Sequence, residues 1–136
     1  MTVAIRPATG GDVAAIDALL RKAFPDAGEA MLVQRLCVDG DMVLTSLADD
    51  EETGSLIGVI VYSRMAVEIG GKPIAAVALA PLAVDAGQRG QGVAETLVRA
   101  SLAQLADAGV VLVFVLGDPA YYERFGFSAD WARGFA

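Results

Sequence analysis

The stretch LAPLAVDAGQRGQGVAETLV, residues 79–98, runs from an apolar segment with a proline in its middle, through a loop with glycine at 87, 90 and 92, into a helical pattern. A strand, a glycine-rich turn and a helix start in that order aim several backbone N–H groups at one point, where the helix dipole adds about half a positive charge. Glycine serves twice there. It reaches positive φ, and without a Cβ it lets an anion come close to the backbone. Taken alone, the loop is either a tight connection from strand to helix or a seat for a phosphate or pyrophosphate. It lacks the terminal Gly-Lys-Ser/Thr of a nucleotide P-loop. Nor does it follow the first strand of a βαβ unit, as a dinucleotide fingerprint would.

Pro81 sharpens the choice. A proline inside a strand removes a ladder donor and marks an edge or a bulge. An interrupted strand beside an anion seat leaves backbone groups free for an extended ligand that carries amides of its own. Coenzyme A, with amides in its pantetheine arm and a pyrophosphate beyond, fits both features.

Working outward from this stretch, VAIRPA (3–8) reads as a short strand. Thr9 and Asp12 stand at capping-box spacing before a helix carrying Val13, Ile16, Leu20 and Ala23/Phe24, which Pro25 ends. A second helix over about 27–38 places Met31/Leu32 and Leu36 in an apolar stripe beside Glu29 and Arg35, and DGD (39–41) closes it. MVLTSLA (42–48) and SLIGVIVYSRMAVEI (55–69) are rich in β-branched residues and flank the charged hairpin loop DDEETG. GGK (70–72) turns the chain into PIAAVALAPLAV, so consecutive antiparallel strands are expected. Past the glycine loop, Val93/Ala94, Leu97/Val98, Ser101/Leu102 and Leu105 predict a helix of about five turns, capped by Gly109. VVLVFVLG (110–117) is a continuous apolar run. With the preceding helix it makes a crossover, which predicts parallel strands buried on both faces. DPAYYERF (118–125) reads as a short helix with Asp118 as N-cap and Pro119 at its first position. The order is β-α-α-β-β-β-α-β-α, a mixed α/β or α+β layer.

Composition narrows the classes of function. The 136 residues suit one domain; 55% are apolar and only 20% charged, the mix of a dense core rather than of disorder. The net charge is −7 and the basic residues are scattered, so nucleic acid is not the expected partner. The chain has no histidine, which removes Ser-His-Asp and Cys-His catalysis and most zinc sites; no metal is expected. The single cysteine, Cys37, sits in an apolar helical pattern and reads as a buried, inert thiol. With no signal peptide evident and no apolar run of about 18 residues, a cytoplasmic protein without a membrane segment is expected.

Two motifs then carry a resemblance. Arg89-Gly90-Gln91-Gly92-Val93-Ala94 matches the Arg/Gln-x-x-Gly-x-Gly/Ala signature of the GNAT superfamily of N-acetyltransferases. Some 33 residues on, Tyr122-Glu-Arg-Phe-Gly126-Phe127 resembles that family's Tyr-x-x-x-Gly-Phe element. FVLGDPAYYERFGF looks like the small bacterial subgroup with an LGDPxYYxRFGF stretch. The resemblance implies a single GNAT-like domain over residues 1–136, with a mixed, mostly antiparallel central sheet flanked by helices. It also implies acyl transfer from acetyl-CoA, as co-substrate, to a primary amine of a small molecule or peptide.

Carried over residue by residue, the main chain of Leu82 and Val84 would hold the pantetheine. The N–H groups of about Gln91 to Ala94 (Gln91, Gly92, Val93 and Ala94), with Arg89 and Gly90 at the loop entry, would hold the pyrophosphate. Arg89 is equally read as an exposed side chain without a ligand. Tyr122 matches the family's general acid. A free phenol titrates near ~10 and a thiol near ~8.5, so a hydrogen bond to the departing thiolate asks less of it than full proton transfer. Read without the family, Tyr122 is a core residue beside Phe125. Glu68 and Asp85 are candidate bases by placement, or simply solvated carboxylates.

The family normally adds one or two strands after its Gly-Phe element, and here nine residues follow Phe127. Either the sequence is a truncated form, or a second subunit, as in a homodimer, completes the acceptor wall, or that side is open. The alternative function is a non-catalytic acyl-CoA-binding domain with a regulatory or interaction role. A third reading is a structural interaction domain whose glycine loop holds nothing.

Overall fold

Five β-branched runs form the sheet of the computed structural model, which describes residues 2–115 and 122–123. They are β1 (Val3–Pro7), β2 (Met42–Asp50), β3 (Leu56–Ile69), β4 (Lys72–Val84) and β5 (Leu112–Val115). The strands lie side by side in chain order; the first three pairings are antiparallel and β4–β5 is parallel. This is the expected mixed, mostly antiparallel sheet. β2 runs two residues further into the charged loop than its sequence suggests, because Asp49 and Asp50 pair with Ala4 and Val3 of β1. Asp49 also accepts a hydrogen bond from Arg6 Nε across the same pair.

Successive side chains of a strand point to opposite faces, and β3 divides the core accordingly. Val59 and Val61 pack with Leu47 and Ala83 under α1 (Val13–Ala23) and α2 (Gly28–Asp39), through Ile16, Leu19, Leu20 and Ala30. Ile60 and Tyr62 pack with Ala48, Val77 and Leu79 under α3 (Val93–Asp107), through Val93, Leu97, Val98 and Leu105. At 15 residues α3 has about four turns rather than five. Gly109, at φ 87°, follows it as expected of a helix stop.

Three expectations are corrected. The buried face of α2 is Ala30 with Val33 and Leu36, whereas Met31 is 61% and Leu32 39% exposed. The apolar residues of α2 spread around the helix, and contact with α1 and the sheet selects one stripe among them. Cys37 is exposed, not buried, at the edge of a cavity of about 400 Å³ between the two helices and the start of β2. β5 is parallel to β4 as expected, but its four described residues are only half-buried. The expected helix over 118–125, its cap Asp118 and Phe125, Gly126 and Phe127 fall outside the described residues, apart from Tyr122 and Glu123.

Candidate functional site

Pro81 sits where β4 departs from regular pairing. Ile60 faces Leu82 and Tyr62 faces Leu79, so Ala80 and Pro81 together oppose the single residue Val61. This is a bulge, which bends the strand just before Leu82–Val84. Strand β4 ends at Val84, and the N–H of the next residue, Asp85, is tied to Ile57 O at 2.8 Å. The Asp85 carboxylate folds back to accept from Gly87 N–H at 2.9 Å, closing a single 3-10 turn over Ala86–Gln88. Lys22 Nζ of α1 stands 3.9 Å from the same carboxylate.

The turn delivers the chain to α3 through two left-handed glycines, Gly90 at φ 81° and Gly92 at φ 78°. Gly92 is the N-cap residue, and no side chain caps this helix. The first intrahelical donor is Thr96, whose N–H and hydroxyl both bond Gly92 O at 3.0 and 2.9 Å. The N–H groups of Val93, Ala94 and Glu95 precede it and have no intrahelical acceptor, as at every helix start. The start of α1 likewise has no side-chain cap; the Asp12 carboxylate instead closes the 3-10 turn Gly10–Asp12 before it, accepting from Thr9 N–H at 2.8 Å and from the Thr9 hydroxyl. Glu95 brings a negative charge to the first turn of α3, but its carboxylate pairs along the helix with Arg99 at 2.9 Å.

A cavity of about 710 Å³ opens in front of this helix start. Its wall comes from Leu82–Val84 of β4, from Gln88–Gly90 of the loop, from Gly92–Glu95 of α3, and from Ala23 and Phe24 at the end of α1. That volume is within the ~300–1,000 Å³ of small-molecule sites. Seven residues carried over from the motif, Leu82, Val84, Arg89, Gly90, Gly92, Val93 and Ala94, line it together; Gln91 is not among the described lining residues. Arg89 turns its Nε back toward Val84 O at 3.4 Å, a long bond that a better acceptor would displace. The wall from Ala23 and Phe24 has no signature in the sequence beyond the helix stop at Pro25.

Gly58 of β3 explains how the helix comes so near. A Cβ there would lie 2.9 Å from Leu97 Cδ1 and 3.1 Å from Val93 Cγ1, so α3 rests directly on the strand. A glycine inside a β-branched run is a sign of close approach that the sequence does carry.

Tyr122 is half-buried and packs against the α3-side core; it is not among the described residues that line the cavity. Tyr62, fully buried in that core, has its phenol pushed up to about 12, first by burial and further by the Tyr122 phenol nearby. The candidate bases part company. Asp85 is spent on the loop turn. Glu68 is exposed near the far hairpin, ten residues beyond Gly58 in the same strand, about 33 Å away at 3.3 Å per residue. Among the described residues no group of three His, Cys, Asp or Glu stands where it would hold a metal ion, and no helix is long and apolar enough to cross a membrane.

The acetyltransferase (GNAT) domain family model matches residues 4–129. The uncharacterized N-acetyltransferase YhbS of Escherichia coli (strain K12) is 46% identical over 116 residues, covering 85% of this chain and 68% of that protein. The crystal structure of E. coli YhbS in complex with CoA superposes with a TM-score of 0.86 at 42% identity, over 96% of this chain and 71% of that one. A GNAT family acetyltransferase from Brucella melitensis in complex with acetyl-CoA gives a TM-score of 0.82 at 31% identity, over 95% of this chain and 84% of that one.

Proposed function

The chain belongs to the GNAT acetyltransferase family, enzymes that take their acetyl group from acetyl-CoA, and we propose that it passes that group to a primary amine of a small molecule or peptide. The observation that carries this reading is the uncapped start of α3 facing a cavity whose other side is the bulged end of β4. The N–H groups of Val93, Ala94 and Glu95 with the helix dipole would hold a pyrophosphate, and left-handed Gly90 and Gly92 leave the approach clear. Gln91 would contribute through its main chain, with Arg89 moving from Val84 O to a phosphate oxygen. Leu82 and Val84 would pair their main chain with the pantetheine amides. Residues 1–136 are read as one domain in the cytoplasm.

In the reaction, a neutral amine nitrogen bonds to the thioester carbonyl carbon and the carbon–sulfur bond breaks. The sulfur leaves with a hydrogen bond or proton from Tyr122, and the nitrogen gives up its proton to water. Calorimetry with acetyl-CoA tests the binding half: no heat at millimolar ligand overturns it. Release of free thiol across a panel of amines tests the transfer. Tyr122→Phe is expected to lower kcat and leave acetyl-CoA affinity nearly unchanged. A second reading is a non-catalytic acyl-CoA-binding domain, favoured by the packing of Tyr122 against the core rather than on the cavity wall. Binding without thiol release from any amine would establish that one.

A further inference from the structure

Two polar groups interrupt the apolar packing under α3: Ser46, which reaches Gln104 at 3.4 Å, and the pair Tyr62–Ser101. Tyr62 and Ser101 are both fully buried, with 2.7 Å between their hydroxyl oxygens. Ser101 Oγ also lies 2.6 Å from Leu97 O and 3.1 Å from Val98 O, and a carbonyl can only accept. The serine proton is therefore committed to the helix backbone, as serines in helices often commit it. Tyr62 must then donate to Ser101, and the rest of the Tyr62 oxygen is acceptor only. A phenylalanine over an alanine would fill this space, and a buried hydrogen bond adds little net stability. What the pair does supply is a phenol fixed in rotation and in hydrogen-bond polarity.

Tyr62 also occupies a telling place. It pairs with Leu79 on β4, and Leu79 pairs with Val115 on β5, so the three form one row about 10 Å wide across the sheet. Leu79 is the last β4 residue before the bulge at Ala80 and Pro81, and Val115 stands seven residues before Tyr122. Tyr122 packs against the same cluster that holds Tyr62, Leu79 and Val115. The Tyr122 phenol also lies close enough for its charge to work against ionising Tyr62.

We propose that Tyr62, locked by Ser101 to helix α3, is a positioning residue for Tyr122, holding the donor phenol in place against the α3-side core. This rests on the reading of Tyr122 as the group that assists the leaving sulfur. Tyr62 makes no contact with substrate in this scheme. Its fixed ring is the surface against which Tyr122 is set, and its acceptor-only oxygen favours the proton-bearing form of a neighbouring phenol over the phenolate.

The test is a double-mutant cycle on kcat and on acetyl-CoA KM, with folding checked by thermal melting. Tyr62→Phe is expected to lower kcat about tenfold in the parent protein, a size typical of coupled neighbours, and to leave acetyl-CoA KM unchanged. In a Tyr122→Phe background the same substitution should change kcat by less than twofold. Ser101→Ala keeps the Tyr62 ring in place while removing its acceptor. It should follow Tyr62→Phe in direction and serves as the second variant if Tyr62→Phe melts low. Equal losses in both backgrounds would show a purely structural role and overturn the proposal. A normal kcat for Tyr122→Phe alone would overturn the reading it rests on, and the proposal with it.

Discussion

Gly58→Ala is the most direct probe of how the sheet positions the helix start. The added Cβ would meet Leu97 Cδ1 at 2.9 Å, Val93 Cγ1 at 3.1 Å and Ala48 Cβ at 3.4 Å. Carbon atoms rest at about 3.5–4.0 Å, so the first turns of α3 must lift by roughly 0.5–1 Å or Leu97 must rotate. Leu97 is fully buried and Val93 nearly so, and a valine in a helix has one strongly preferred rotamer. Overpacking of this kind costs about 1–3 kcal/mol. Alanine recovers about 0.4–1 kcal/mol through the less flexible unfolded chain. The net loss of about 1–2 kcal/mol is expected to lower Tm by roughly 3–10 °C for a chain of this length. The same lift moves the N–H groups of Val93–Glu95 relative to β4. Hydrogen bonds to a charged ligand are worth about 1.5–3 kcal/mol, so losing half of one is expected to weaken acetyl-CoA binding by roughly tenfold. Differential scanning fluorimetry and calorimetry read the two effects separately. A variant with unchanged Tm and unchanged acetyl-CoA affinity would refute the reasoning, because it would mean that the seat of α3 on Gly58 does not set the cavity.

Three further outcomes are expected. Gly92→Ala puts a side chain at φ 78°, where an L-residue pays about 1–2 kcal/mol; both Tm and acetyl-CoA affinity should fall, and an unchanged affinity would argue against the loop as the anion seat. The Asp12 carboxyl is held well below the usual carboxylate range, first by its hydrogen bonds from Arg6 and then by Thr9 N–H. A lowered folded-state pKa adds stability above the ordinary value near ~4 that is lost in acid, so the gap between the parent and Arg6→Met should be widest near neutrality and shrink below about pH 4 in urea titrations. A gap that widens in acid would contradict it. Tyr62 has the opposite sign: with its folded phenol pushed up to about 12, its stabilising contribution is intact below about pH 10 and is lost as the unfolded phenol ionises above it. Phenolate absorbance of the folded protein should show a late step near pH 12, and Tyr62→Phe should remove it.

Much of the fold is legible along the chain because its cues are local. β-branched runs broken by charged or glycine turns announced the hairpins, a 3.6-residue period announced α1 and α3, and the glycines at 90 and 92 announced the helix start. The motif from Arg89 to Ala94, with Tyr122 further on, pointed to the family. The parallel pairing of β4 with β5 was also foreseen, but other readings that needed a partner distant in sequence failed. The exposed face of α2, the solvent-facing thiol of Cys37 and the remote position of Glu68 all depend on which surfaces meet, and periodicity alone does not choose among apolar stripes.

The order of the elements and the chemistry of the glycine loop thus belong to the sequence itself, since backbone conformation there follows from the residue types present. Packing between remote segments decided the rest: Ala23 and Phe24 as a wall of the cavity, Gly58 as the seat of α3, Asp85 as a turn residue rather than a base, and the Tyr62–Ser101 bond inside an apolar core. Each of these is set by strand register and by the distance at which helix and sheet come to rest, and neither quantity is encoded by any single stretch of the chain.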